Sequence, residues 1–311
     1  MHAMSSSAAR TRQMSAVAEP YDGVLSRTLL RENGADHRVV SRQVSDERWR
    51  LVGRETVATH TGPLSFTALA WRALWETASS QAAVDGVGAL RLAGLKGFDV
   101  AAVDVSVPWD VRRGPIPGVR IHRVCREPDD VVYAGPPRLP TPLATVRAAH
   151  WASSDRQAAL LLVLPVQQRL VRPVDLFEAS RCDRVRGRRE LVRQLVADIA
   201  DGAQSLGELD FARLCRRRGL PQPDRQAVVR TSKGRIYLDV RWPAIGLVVE
   251  IDGAGHREAL SVMDDHLRQN RVTIGENLVL RYDLFALRLH PNEVLDQICD
   301  AYTVASARRA S

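Results

Sequence analysis

A chain of 311 residues, 45% hydrophobic and 26% charged, is long enough to bury two or three domain cores and has the composition of an ordinary soluble protein. No run of about 18 apolar residues occurs, so no transmembrane helix and no membrane partner are expected, and the opening MHAMSSSAARTRQMSA lacks the apolar centre of a secretory signal. The formal net charge of +8 permits nucleic-acid binding without establishing it, because segments 1–61, 62–165, 166–204 and 205–311 each carry +2. Only Lys96 and Lys233 among the 44 basic residues are lysine, which looks more like a habit of composition than selection for phosphate contacts. Four scattered cysteines (Cys125, Cys182, Cys215, Cys299) have no metal-type spacing. They fit a reducing cytoplasm and argue against a disulfide framework or a structural zinc.

Residues 1–20 are expected to be a disordered leader. From Tyr21, VLSRTLLREN is apolar at helical spacing and closes at Gly34; HRVVSRQVS follows, then RWRLVGRETVATH, β-rich with a central glycine like a hairpin. Short helices followed by a hairpin over 21–61 is the plan of a winged helix-turn-helix, whose second helix enters the major groove. Arg38, Arg42, Arg48, Arg50 and Arg54 would then supply phosphate and base contacts. The alternative is a small helical subdomain with a solvated arginine face.

Residues 62–150 read as a compact α+β unit. LSFTALAWRALWETASSQ is an amphipathic helix whose Trp71 and Trp75, at i and i+4, belong to a core. VDGVGALRLAGL adds a helix, VAAVDVSVP a buried strand and VRIHRV a second, with His122 in a structural role; GPPRLPTP reads as a loop. Periodicity is helical from Leu143 to Ala203, so 151–204 reads as a helical connector, with Pro173 suited to a first turn. The basic run RCDRVRGRR is either a DNA-backbone contact or a solvated loop.

The last domain, 205–305, opens at Ser205 and Glu208, which fit a capping box before a helix ending at Gly219. Strands AVVRT, RIYLDVRW and GLVVEID follow, then a helix over about 257–274, the strand LVLRYD and a last helix, PNEVLDQICDAY. This αβββαβ order predicts a three-layer sandwich with a mixed sheet, in a chain that is α/β (α+β overall). Asp239 lies in one strand, and Glu250 and Asp252, two residues apart, share a face of the next. Carboxylates converging on neighbouring strands repel unless a cation sits among them, and hard oxygen ligands suit Mg2+ or Mn2+.

LDVRWPAIGLVVEIDGAGH, preceded by RGLPQPDRQ and followed by DDHLRQNRVTIGENLVLRYD, resembles the restriction-endonuclease-like PD-(D/E)XK superfamily. Within it, the likeness is to the domain related to very-short-patch mismatch-repair endonucleases, over roughly 100 residues. WRALWETASSQAAVDGVGALRLAGLKGF and DVSVPWDVRRGPIPGVRIHRV resemble, more loosely, the AbiEi-antitoxin-like region that precedes such a domain in actinobacterial proteins.

The resemblance implies metal-dependent phosphodiester hydrolysis of DNA, with Asp239 and Glu250 as metal ligands. It implies that Glu208 joins the site, that Gln226 lies near it on the preceding strand, and that a cognate toxin or other protein is a partner. Asp252 stands where the superfamily carries its lysine, and His256, after the Asp-Gly turn, would act in its stead, as a histidine does in the mismatch-repair relatives. Lys233, in a hairpin turn, is poorly placed to reach the metal. Blander roles stand beside each of these: Asp252-Gly253 as a turn, His256 as a helix cap, and Glu250 paired with Arg281 across the sheet. Losing the lysine would suit a non-catalytic DNA-binding regulator of antitoxin type.

Overall fold

The computed structural model describes residues 12–125, 131–183, 185, 187–201, 211–230, 236–252, 266, 267, 270 and 279–310. Among the described residues the fold mixes helices with three small sheets, and the chain divides into two compact units, Met1–Ala148 and Ala149–Ser311. No helix among the described residues is long and apolar enough to cross a membrane.

The first unit begins with α1 (residues 12–18), in the stretch the sequence reading treats as a disordered leader. Met14 and Ala18 explain the difference: both are buried in a cluster with Leu25, Leu30, Val40, Trp49 and Val57. β1 (Val24–Ser26), α2 (Arg27–Glu32), α3 (His37–Ser45), β2 (Arg50–Leu51) and β3 (Thr56–Ala58) follow. Their antiparallel sheet has the order β1-β3-β2. Local chemistry sets the two helices. Ser26 accepts from the Leu29 amide at 3.1 Å and Asp36 from the Val39 amide at 2.9 Å, and each thereby satisfies an amide that helix geometry leaves unpaired. Between them Gly34 takes the left-handed φ of +79° that a tight exit from α2 requires.

α4 (Phe66–Glu76) stacks Trp71 on Trp75 at 5.3 Å between centroids, with Tyr21 edge-on to Trp71, so both tryptophans are packing residues. Its last residue, Glu76, is buried and accepts from the amides of Arg54 and Glu55 and from the Thr56 hydroxyl. That carboxylate ties the β2–β3 hairpin to α4 so closely that a Cβ on Gly53 would collide with it. The second sheet, in the order β4-β5-β6, joins β4 (Ala83–Val84), β5 (Val103–Pro108) and β6 (Val119–Val124); β5 pairs antiparallel to β4 and parallel to β6. α5 (Gly86–Leu92) connects β4 to β5. Buried acids here are matched. Asp104 takes Arg120 and His122, the latter at 2.8 Å, which gives His122 the structural role expected of it. Asp85 takes Arg147 at 2.9 Å, the Ser106 hydroxyl and the Gly86 amide, although burial still drives its pKa upward.

Helices α6 (Thr141–His150, where the division falls), α7 (Asp155–Gln167), α8 (Pro173–Cys182) and α9 (Arg189–Asp201) come next, with Pro173 in the first turn of α8. α7 to α9 fall in the same unit as the C-terminal sheet. α10 (Phe211–Arg217) leads to β7 (Arg225–Arg230), β8 (Ile236–Trp242) and β9 (Leu247–Asp252); β10 (Val279–Asp283), α11 (Leu284–Leu289) and α12 (Pro291–Ala310) complete the described chain. The sheet order is β10-β9-β8-β7, antiparallel except for the parallel pair β9 and β10. It is therefore a mixed sheet, and its two faces differ sharply. Leu238, Val240, Trp242, Leu247, Val249, Ile251, Leu280 and Tyr282 occupy one face and are all buried. Phe211 and Tyr302 pack edge-on to Trp242, closing that face with α10 and α12. The alternate positions carry the acids.

Candidate functional site

Because side chains alternate along a strand, register fixes which of them share the polar face. Asp239 of β8 lies opposite Glu250 of β9, and Glu250 opposite Arg281 of β10. Two residues along, Tyr237, Asp252 and Asp283 form a second row on the same face. Four carboxylates thus stand on three adjacent strands, above a sheet whose other side is solid core.

The two rows are neutralised differently. Asp239 is 1% exposed, and both its oxygens accept from Arg241 Nε, at 2.9 and 2.8 Å. The hydrogen bond and charge of Asp239 raise the Arg241 pKa further, so this guanidinium stays a cation at any working pH. Glu250 accepts from Arg281 Nε at 3.1 Å, which is the cross-strand pair the sequence offers as the bland role of that glutamate. In the second row Asp252 is 9% and Asp283 3% exposed. Asp283 Oδ1 caps α11 by accepting from the Ala286 amide at 2.9 Å, and Oδ2 is buried with no hydrogen-bond partner among the described residues. Burial, with a smaller contribution from Asp252, pushes the Asp283 carboxyl up to about 7.

Asp239, Glu250 and Asp252 are thus brought to one face as the spacing predicts. Gln226 pairs in register with Val240, one residue off the row of Asp239 and Glu250. Glu208, His256 and Lys233 lie outside the described residues. Asp283 is the member that the sequence reading misses. The sequence shows only that LVLRYD shares the alternation of LVVEID; the parallel pairing of Val248 with Val279, which sets Asp252 beside Asp283, is seen in the structure alone.

Among the described residues, no three His, Cys, Asp or Glu side chains converge as a metal-holding group. The donors nevertheless fit a hard divalent cation: carboxylate oxygens in adjacent pairs, largely withdrawn from water, with Asp283 Oδ2 lacking a hydrogen-bond partner among the described residues. Magnesium in particular takes one or two carboxylates and completes its shell with water or phosphate. At the Asp239–Glu250 pair the two arginines must yield, and both are half-exposed, with solvent to swing into.

In the first unit, Arg38, Arg42, Arg48, Arg50 and Arg54 are all exposed. Arg38 and Arg42 lie one turn apart on the outer face of α3, whose inner face buries Val40 and Gln43. Arg38, Arg42 and Arg48 have no hydrogen-bond or ion-pair partner among the described residues. Arg50 and Arg54, on and beside the hairpin, are partly engaged: Arg50 donates to the Gly62 carbonyl at 3.0 Å, and Arg54 lies 3.9 Å from Glu55.

Compared with known proteins, the chain matches no family model, and no curated protein is similar to it in sequence.

Proposed function

We propose that this chain binds DNA through its N-terminal region and cleaves it with a divalent-metal-dependent endonuclease site of the PD-(D/E)XK type on its C-terminal sheet. The observation that carries the reading is the register pairing of Asp239 with Glu250 on the polar face of a mixed four-stranded sheet. That pairing is what the restriction-endonuclease-like resemblance requires of its metal ligands. In this reading 205–305 is the three-layer endonuclease-like domain, and 62–150 the AbiEi-like α+β domain. Residues 21–61 act as a winged helix, with the outer arginines of α3, Arg38 and Arg42, facing the groove and the β2–β3 hairpin as the wing.

Asp239 and Glu250 would hold Mg2+ or Mn2+, which when bound lowers the pKa of water and offsets charge on the scissile phosphate. The rest of the chemistry falls to the chain's own side chains. Arg241 and Arg281, released from the carboxylates, present planar donors on the same face to the phosphate oxygens. The apolar layer beneath keeps the carboxylates from shifting, since β8 and β9 are buried on their reverse side. His256 would take or orient the proton of the attacking water.

One observation favours a second reading. Arg241 and Arg281 already neutralise Asp239 and Glu250, and Asp252 stands in the lysine position, as suits a DNA-binding regulator of antitoxin type that holds its nuclease fold as a scaffold. Incubating supercoiled plasmid with the full chain and Mg2+ or Mn2+, beside Asp239→Ala, separates the two. The nuclease reading expects nicking that the variant abolishes, and intact plasmid under every condition leaves the regulator.

A further inference from the structure

We propose that Asp252 and Asp283 form a divalent-cation seat of their own, at the C-terminal ends of the parallel strands β9 and β10. It lies one row removed from the Asp239–Glu250 pair, and it stands or falls separately from the nuclease reading. Three observations converge on it. The two carboxylates are register partners on one face, so their side chains project together. Both are withdrawn from water, at 9% and 3% exposure. And Asp283 Oδ2 is buried without a hydrogen-bond partner among the described residues, a condition that costs stability unless something else satisfies it.

Asp239 and Glu250 each have an arginine within 3.1 Å, whereas Asp283 has no cationic partner among the described residues. A bound cation is what would compensate this carboxylate. The position also suits it, because in open sheets ligands gather beyond the carboxyl ends of parallel strands. Two carboxylates with a hard-oxygen shell completed by water are the ligand set that Mg2+ or Mn2+ accepts. Asp283 contributes Oδ2 while Oδ1 keeps its bond to the Ala286 amide, so cation binding also fixes the start of α11.

The test is Mn2+ binding to the full-length chain at fixed salt, followed by electron paramagnetic resonance of the free ion, for wild type, Asp283→Asn and Asp239→Asn. Asparagine keeps the cap oxygen and removes the charge, so Asp283→Asn is expected to fold. The seat predicts at least tenfold weaker binding for Asp283→Asn and loss of the rise in melting temperature that Mn2+ gives the wild type. Unchanged binding by Asp283→Asn, or no binding by the wild type, overturns it. Should Asp283→Asn fail to fold, Asp252→Asn decides on the same criterion. Plasmid nicking by the same proteins is scored separately: nicking with undiminished Mn2+ affinity in Asp283→Asn removes this seat and leaves the nuclease reading intact.

Discussion

Asp283 carries its ionisation cost inside the fold. Burial lifts its carboxyl from the ordinary 3.8 to about 7, with Asp252 adding to the shift and the Ala286 and Phe285 amides opposing it. Between those two values the folded chain keeps a proton that the unfolded chain has released, so folding stability falls as pH rises through that window. A shift of roughly three pH units corresponds to a contribution on the order of 4 kcal/mol, fully present below the lower value and lost above the higher one. Asp283→Asn has no such proton to lose. In chelator-containing buffer, urea midpoints of the wild type should therefore fall between pH 4 and pH 7 relative to those of the variant. Parallel curves would show that Asp283 is ordinary. Asp239 teaches a different lesson, because its arginine sits two residues away on the same strand and face. Arg241 is visible in the sequence, but at i+2 along a strand nothing marks it as the partner of Asp239 until the register places both on one face.

At the scale of elements, alternation in LVVEID was enough to put Glu250 and Asp252 on one face, and the hairpin order was enough to set Asp239 beside them. The cross-strand Glu250–Arg281 pair was also legible. Asp283 was not, because its partner is chosen by a parallel crossover, which no local pattern announces. α11 was missed for a related reason: LFALRL is six residues long, and its start is set by the Asp283 side chain. α1 was missed because its apolar residues, Met14 and Ala18, look unremarkable until Trp49 and Val57 come back to meet them. HRVVSRQVS, expected among the short helices of 21–61, forms α3, and the Asp36 side chain caps its start. Its outer arginines give a direct test of the groove reading. Replacing Arg38 and Arg42 together by alanine should weaken DNA binding and lower the salt slope by about two. Neither residue has a hydrogen-bond or ion-pair partner among the described residues, so stability should move by no more than about 0.5 kcal/mol. An unchanged salt slope would take DNA off α3.

Across the whole molecule, the chain organises as two units divided after Ala148. Within the second, α9, part of the stretch that sequence periodicity reads as a helical connector, is joined to α11 by an ion pair whose carboxylate is buried. Arg288 of α11 donates to Asp198 of α9 at 2.9 and 3.2 Å, and Asp198 is 2% exposed. Partners 90 residues apart cannot be seen in any window of sequence. Arg288→Ala would leave Asp198 buried without that charge, and should cost about 3 kcal/mol in chemical unfolding. A cost near zero would mean that α9 is not tied to this sheet. Above these details stands the claim that the acidic face cleaves DNA, and plasmid nicking by the full-length chain tests it most directly. With Mg2+ or Mn2+ present, the account predicts conversion of supercoiled to nicked plasmid by the wild type, abolished by chelator and by Asp239→Ala. Plasmid left supercoiled by the wild type, or nicked equally by Asp239→Ala, would contradict it.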